Sequence, residues 1–198
     1  MSIKEKLWNR IQRKGRGWAF SARDFLPDFK RNDLDTALFH LTREGKIRKL
    51  LRGIYDYPQY SELLQEYIPP DVSQIAAAIA RSKAREIQPS GNSALNYLRL
   101  STQVPANAIY LWNGPDHDFA IGKTRIHFKR ASRRDFSPKL RQSRLLVQAI
   151  RALGDNALLP ENQARIKQCF SPELWKKIKN DTVSVPDNIY KIIDRISR

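Results

Sequence analysis

Cysteine is almost absent from this chain. Cys169 is the only one in 198 residues, so no intramolecular disulfide can form. A lone cysteine between polar and aromatic neighbours is expected to serve packing. Histidine is nearly as scarce: His40, His117 and His127 stand too far apart in sequence to suggest a zinc site, and no metal is expected. No apolar run approaches the roughly 20 residues that cross a bilayer. The opening stretch, MSIKEKLWNRIQRK, lacks the apolar core of a signal peptide. These absences make a cytoplasmic protein without membrane association the expectation. No glycine-rich phosphate cradle and no Ser/His/Asp set stands out, so neither cofactor nor catalytic residue is predicted. Acidic residues are the last shortage. Asp and Glu number 20 against 36 Lys and Arg, a net charge of +16, and such an excess points to a polyanionic partner.

What is present reads as an α+β protein. Hydrophobic residues make up 41% of the chain, ordinary for a globular protein, and the length fits one large domain or two small ones. Ile3, Leu7 and Ile11 recur at helical spacing before RKGRG ends the first helix. Ser21 opens a short second helix with Phe20 and Phe25 as anchors. Asn32 or Asp33 is placed to cap a third helix, where Leu34, Ala37, Leu38 and Leu41 form the inward stripe. Gly45 closes it, and strands over 47–51 and 54–57 turn at Arg52–Gly53. Three helices followed by a hairpin is the order of a winged helix-turn-helix, expected over residues 1–60. A linker is expected over 61–70, ending at Pro69–Pro70. Residues 71–198 are expected to form a second domain of helices and a small antiparallel sheet, with AIYLW, DFAIG and TRIHFKR as three antiparallel strands turning at Asn113–Gly114 and Gly122–Lys123.

Two places concentrate cations. In LTREGKIRKLLRGIYDYP, a wing would bury Ile47, Leu51 and Ile54 on one face and lay basic side chains along phosphates with the other. Arg48, Lys49 and Arg52 are the predicted phosphate contacts. Ser21 and, on the outer face of the third helix, Arg31, Asn32, Thr36, His40 and Arg43 complete the predicted DNA-binding set, because Asn, Arg, Thr and His can read base edges or hold phosphates. The second concentration is 122–144. There Lys123, Arg125, Lys129, Arg130, Arg133, Arg134, Lys139, Arg141 and Arg144 face Asp135 alone, a net +8. Solvated faces usually mix signs. Lys123, Arg125, Lys129, Arg130, Arg133 and Arg134 are therefore expected to form a second nucleic-acid or partner patch, the alternative being a solvated loop.

LDTALFHLTREGKIRKLLRGIYDYP resembles the N-terminal winged helix of AbiEi-type antitoxins of type IV toxin–antitoxin and abortive-infection systems: a helix with a small central residue, a Gly, a basic strand and an RGxY turn ending near Pro. QPSGNSALNYLRLSTQVPANAIYLWNG resembles that family's segment leading from a Ser-Gly helix through a Leu-Ser/Thr-Thr-Gln-Val-Pro run to a strand. The resemblance covers about residues 5–150. At one place the chain departs from it: a Gly commonly precedes the Leu of that run, where this chain has Arg99 before Leu100. The resemblance implies an N-terminal domain that binds operator inverted repeats in double-stranded DNA and represses its own operon. It also implies a C-terminal domain that counteracts a co-encoded nucleotidyltransferase-like toxin without a stable complex. A stand-alone winged-helix regulator is the alternative.

PDHDFAIGKTRIHFK invites comparison with restriction-endonuclease-like enzymes. A metal nuclease needs an Asp, and then an acidic residue two before a Lys. Asp116 and Lys129 could fill two of these roles, but His127 stands where the second carboxylate belongs. Convergence of Asp116, Asp118 and Asp135 on one pocket would favour the enzyme; otherwise DHD is a polar turn.

Overall fold

The computed structural model describes residues 1–102, 107–122 and 124–198. It is an α+β structure whose chain divides into two compact units: residues 1–86 with 119–125, and residues 87–118 with 126–198.

The first unit begins with α1, Ile3–Lys14, closed at its N-terminus by a reciprocal capping box between Ser2 and Glu5. Strand β1, Ala19–Ser21, follows and was not anticipated. The expected second helix is a single 3-10 turn, Ala22–Phe25. Helix α2, Arg31–Arg43, starts earlier than expected: Lys30 is the N-cap, and the expected caps Asn32 and Asp33 lie within the first turn. Strands β2, Arg48–Leu51, and β3, Ile54–Asp56, turn through Arg52–Gly53 as expected, with Gly53 at φ 77° in the region that favours glycine. β3 is the middle strand of a sheet ordered β1-β3-β2, antiparallel throughout. Leu7, Ile11, Phe20, Phe25, Leu34, Leu38, Leu41 and Ile47 form the core, and Trp18 stacks on Phe20 at 4.8 Å.

The expected linker is partly structured. Tyr60–Ser61 (β4) and Glu66–Tyr67 (β5) pair as a small ribbon. Helix α3, Val72–Ser82, is capped by Asp71, whose carboxylate accepts from the Ser73 amide at 2.7 Å. The boundary expected at Pro69–Pro70 therefore falls inside the first unit, which runs to Glu86. The physical reason is Arg81. From the last turn of α3 it binds the Asp24 carboxylate at 2.6 Å and the Ala19 carbonyl at 2.8 Å, tying the helix to β1 and the 3-10 turn.

In the second unit Ile87–Pro89 (β6) pairs antiparallel with β7, Ala108–Trp112. The three expected strands exist, with β8 at His117–Ile121 and β9 at Thr124–Arg130, but the sheet is ordered β6-β7-β9-β8. β7 and β9 run parallel, in register from Ala108↔Ile126 to Trp112↔Arg130. The Asn113–Gly114 turn thus joins strands that are not neighbours. Gly114 leaves room for the Trp112 indole: a Cβ would stand 3.0 Å from that ring, which would have to give by a few tenths of an ångström, and whose Nε1 donates to the Pro115 carbonyl at 2.7 Å.

Helices α4 (Gly91–Tyr97), α5 (Arg141–Leu153), α6 (Pro160–Gln168), α7 (Pro172–Asp181) and α8 (Asp187–Ser197) enclose an aliphatic core around Leu146, Ile150, Ile166, Ile178 and Ile193. Cys169 packs against this core, and burial pushes its thiol pKa up. α4 ends in a Schellman motif. The Leu100 amide donates to Leu95 at 2.8 Å, the Arg99 amide donates to Asn96 at 3.0 Å, and Leu95 and Leu100 are buried in the same cluster. The motif needs a left-handed residue, and Arg99 supplies it at φ 56°. The whole QVP portion of STQVP, residues 103–105, lies outside the described residues.

Candidate nucleic-acid interface

Helix α2 turns Leu34, Ala37, Leu38 and Leu41 into the core. The opposite pole carries Asn32, Thr36, Phe39 and Arg43, spaced i, i+4, i+7 and i+11, all exposed, with His40 exposed beside them. Arg31 pairs with Asp35 one turn on at 2.9 Å, with both side chains more than half exposed; such a pair is weak and can exchange for a phosphate. Thr36 donates its hydroxyl to the Asn32 carbonyl at 3.1 Å and keeps its lone pairs as acceptors. Phe39 was absent from the predicted set, although the spacing of Asn32, Thr36 and Arg43 already placed it on their stripe. The α2 end is fixed by Glu44, whose hydrogen bonds from Lys4 and Lys46 lower its pKa to about 2.

Two predicted contacts are corrected. Ser21 is 3% exposed, paired with Ile54 across the sheet and bonded through its amide to Asp24 at 2.8 Å, so it is not presented to a ligand. Arg48 is committed inward. Its guanidinium grips Asp56 with two bonds of 3.1 and 2.6 Å and reaches the Ile68 carbonyl at 3.3 Å, while Asp56 is 1% exposed. Arg48 and Lys49 are adjacent on one strand, so the pleat sends them to opposite faces and they cannot share a partner. An irregularity between Lys49 and Leu51 further breaks the expected alternation, and Leu51 is only half-buried. Lys49 and Arg52 are exposed, and among the described residues neither has a carboxylate partner.

The run expected as one basic patch is divided. Lys123 lies outside the described residues, and Arg125, exposed, belongs to the first unit. Lys129 and Arg130, ending β9, and Arg133 and Arg134, in the 3-10 turn Arg133–Phe136, belong to the second; all four are exposed. No carboxylate pairs with these four among the described residues. Arg144 instead turns back, donating to the Pro138 carbonyl at 2.6 Å.

The carboxylates that would mark a nuclease have separate tasks. Asp116 accepts the Arg130 amide at 2.6 Å, and Asp118 holds Nδ1 of His127 at 2.7 Å. Asp135 accepts from the Ser132 amide and hydroxyl, both at 2.8 Å, and pairs with Arg151. Burial pushes the Asp135 carboxyl up, but these bonds outweigh it and its pKa lies below the usual carboxylate value. Among the described residues no group of three or more His, Cys, Asp or Glu could hold a metal ion. Among them, too, no helix is long and apolar enough to cross a membrane.

The arrangement of the first unit offers an exposed polar helix stripe and a hairpin with outward cations, on a strongly basic chain. A family model described as "Family of unknown function (DUF6088)" matches residues 6–180, and the chain belongs to that family. No curated protein matches it.

Proposed function

We propose that this protein is a DNA-binding antitoxin: a winged helix-turn-helix in its first unit binds inverted repeats and represses its own operon, and the remainder counteracts a co-encoded nucleotidyltransferase-like toxin without a stable complex. The observation that carries the DNA half is the order helix, strand, short helix, helix, hairpin, with α2 presenting an unburied Asn32/Thr36/Arg43 stripe and the hairpin presenting Lys49 and Arg52. That order matches a winged helix in which α2 enters the major groove and β2–β3 is the wing. The toxin half rests on the AbiEi resemblance. Arg99 supports it, because the position where that family commonly has Gly requires a left-handed backbone here.

The DNA half is tested by anisotropy titration of the duplex upstream of this reading frame against a scrambled duplex of equal composition. Specific binding is expected to be tighter by about 10³-fold at physiological salt. Equal affinity for the two duplexes would refute operator recognition. The toxin half is tested by expressing the neighbouring gene alone and with this one. Growth arrest that this protein relieves is the expected result; operator binding without relief leaves a stand-alone winged-helix regulator.

A further inference from the structure

Phe39 is 57% exposed, at the pole of α2 farthest from the core. Single exposed apolar residues are common on protein surfaces, so exposure alone assigns nothing. Its position does. Every other member of the stripe is polar, and Phe39 sits between Thr36 and Arg43, within one turn of each. Its ring is also held. The Arg43 guanidinium lies 5.8 Å from its centroid, and the His40 imidazole meets it edge-on at 5.6 Å and 70°. A ring braced by two neighbours loses little freedom when it docks.

Resting on the reading of α2 as a recognition helix, we propose that Phe39 is a specificity-determining residue that packs against the C5 methyl group of a thymine. That methyl is the one apolar group any base pair shows in the major groove. Cytosine, its unmethylated pyrimidine counterpart, offers the ring only an amino group to desolvate. Asn32, Thr36 and Arg43 satisfy polar base edges and phosphates around this contact; Phe39 has no hydrogen-bonding atom and reads by shape.

The experiment starts with a random duplex library selected on the full chain. Each thymine of the enriched site is then replaced singly by 2′-deoxyuridine, which removes only the methyl group. Wild-type protein should lose about three- to fivefold affinity at one or two thymines, the effect of exposing one buried methyl. Phe39→Ala should bind the thymine duplex with a similar loss and show no further loss at those uracils. A library that enriches nothing defeats the recognition-helix reading and this proposal with it. An enriched site that tolerates uracil everywhere leaves the recognition helix standing and overturns the thymine contact alone. So does Phe39→Ala if it keeps the wild-type penalty at the same uracils. The uracil scan on wild-type protein needs no variant to fold.

Discussion

The β2–β3 hairpin and the segment 129–134 each concentrate cations in a short stretch of sequence. Their cations have different duties. In the hairpin, Arg48 is drawn to a carboxylate buried to 1% exposure and belongs to the fold, leaving Lys49 and Arg52 outward. In 129–134 all four cations point outward, and the nearby Asp135 is occupied by Arg151 and Ser132. A basic residue becomes structural when a buried carboxylate lies across from it in the sheet register, as Asp56 does for Arg48. Charge density alone does not separate the two cases.

The sharpest break in that comparison changes Lys129, Arg130, Arg133 and Arg134 together to Gln. All four are exposed and have no carboxylate partner among the described residues, so stability should hold. If they lie on nucleic acid, the slope of log K against log salt should become shallower by about three to four units, since each lost phosphate contact removes about 0.9. If they serve antitoxin action, toxin neutralisation should fail instead. Wild-type behaviour in both assays would make the run solvated surface.

Arg48 should give the converse result. Arg48→Met leaves the Asp56 carboxylate buried without its partner, and stability should fall by about 3 kcal/mol, read from urea unfolding. The range for a broken buried pair is reduced to its lower end because Arg48 is 32% exposed. A drop below about 1 kcal/mol would show that Asp56 finds other partners. On α2, Asn32→Ala or Thr36→Ala should cost about 1–3 kcal/mol on the selected operator and almost nothing on random duplex. Equal losses on both would remove them from base reading. At the β2–β3 turn, Arg52→Ala should lower the salt slope by about one unit on any duplex if the hairpin is the proposed wing. An unchanged slope would place the tip in solvent.

Much of this was legible in the sequence. Apolar periodicity located α1 and α2, and turn residues located Arg52–Gly53, because burial of a stripe and a positive φ are local demands. The parallel pairing of β7 with β9 was not legible, since strand order depends on contacts distant in sequence. The extent of the first unit was hidden too: Arg81 meets Asp24 across 57 positions. The misreading of Arg48 was avoidable. Adjacent strand residues face opposite ways, and Asp56 stands at hairpin distance from Arg48.

The β2–β3 turn places a glycine in the left-handed region, Gly53 at φ 77°, whereas the end of α4 places Arg99 there, at φ 56°. An L-residue there meets its own carbonyl oxygen, at a cost of roughly 1–2 kcal/mol, while glycine avoids the clash but loses more entropy on folding. Among the described residues, the hydrogen bonds that Arg99 makes in the motif run through its backbone. Its amide bonds to Asn96, and its carbonyl accepts from Arg165 at 2.8 Å, both available to glycine. Arg99→Gly should therefore raise stability by about 0.5–1 kcal/mol, seen as a higher urea midpoint at unchanged slope. The equivalent change in the other direction, Gly53→Arg, should lower it by a similar amount without touching the core, since open space surrounds that position. A midpoint that falls in Arg99→Gly would mean that the guanidinium makes a contact worth more than the backbone strain, and the support that Arg99 lends to the proposed AbiEi resemblance would be lost.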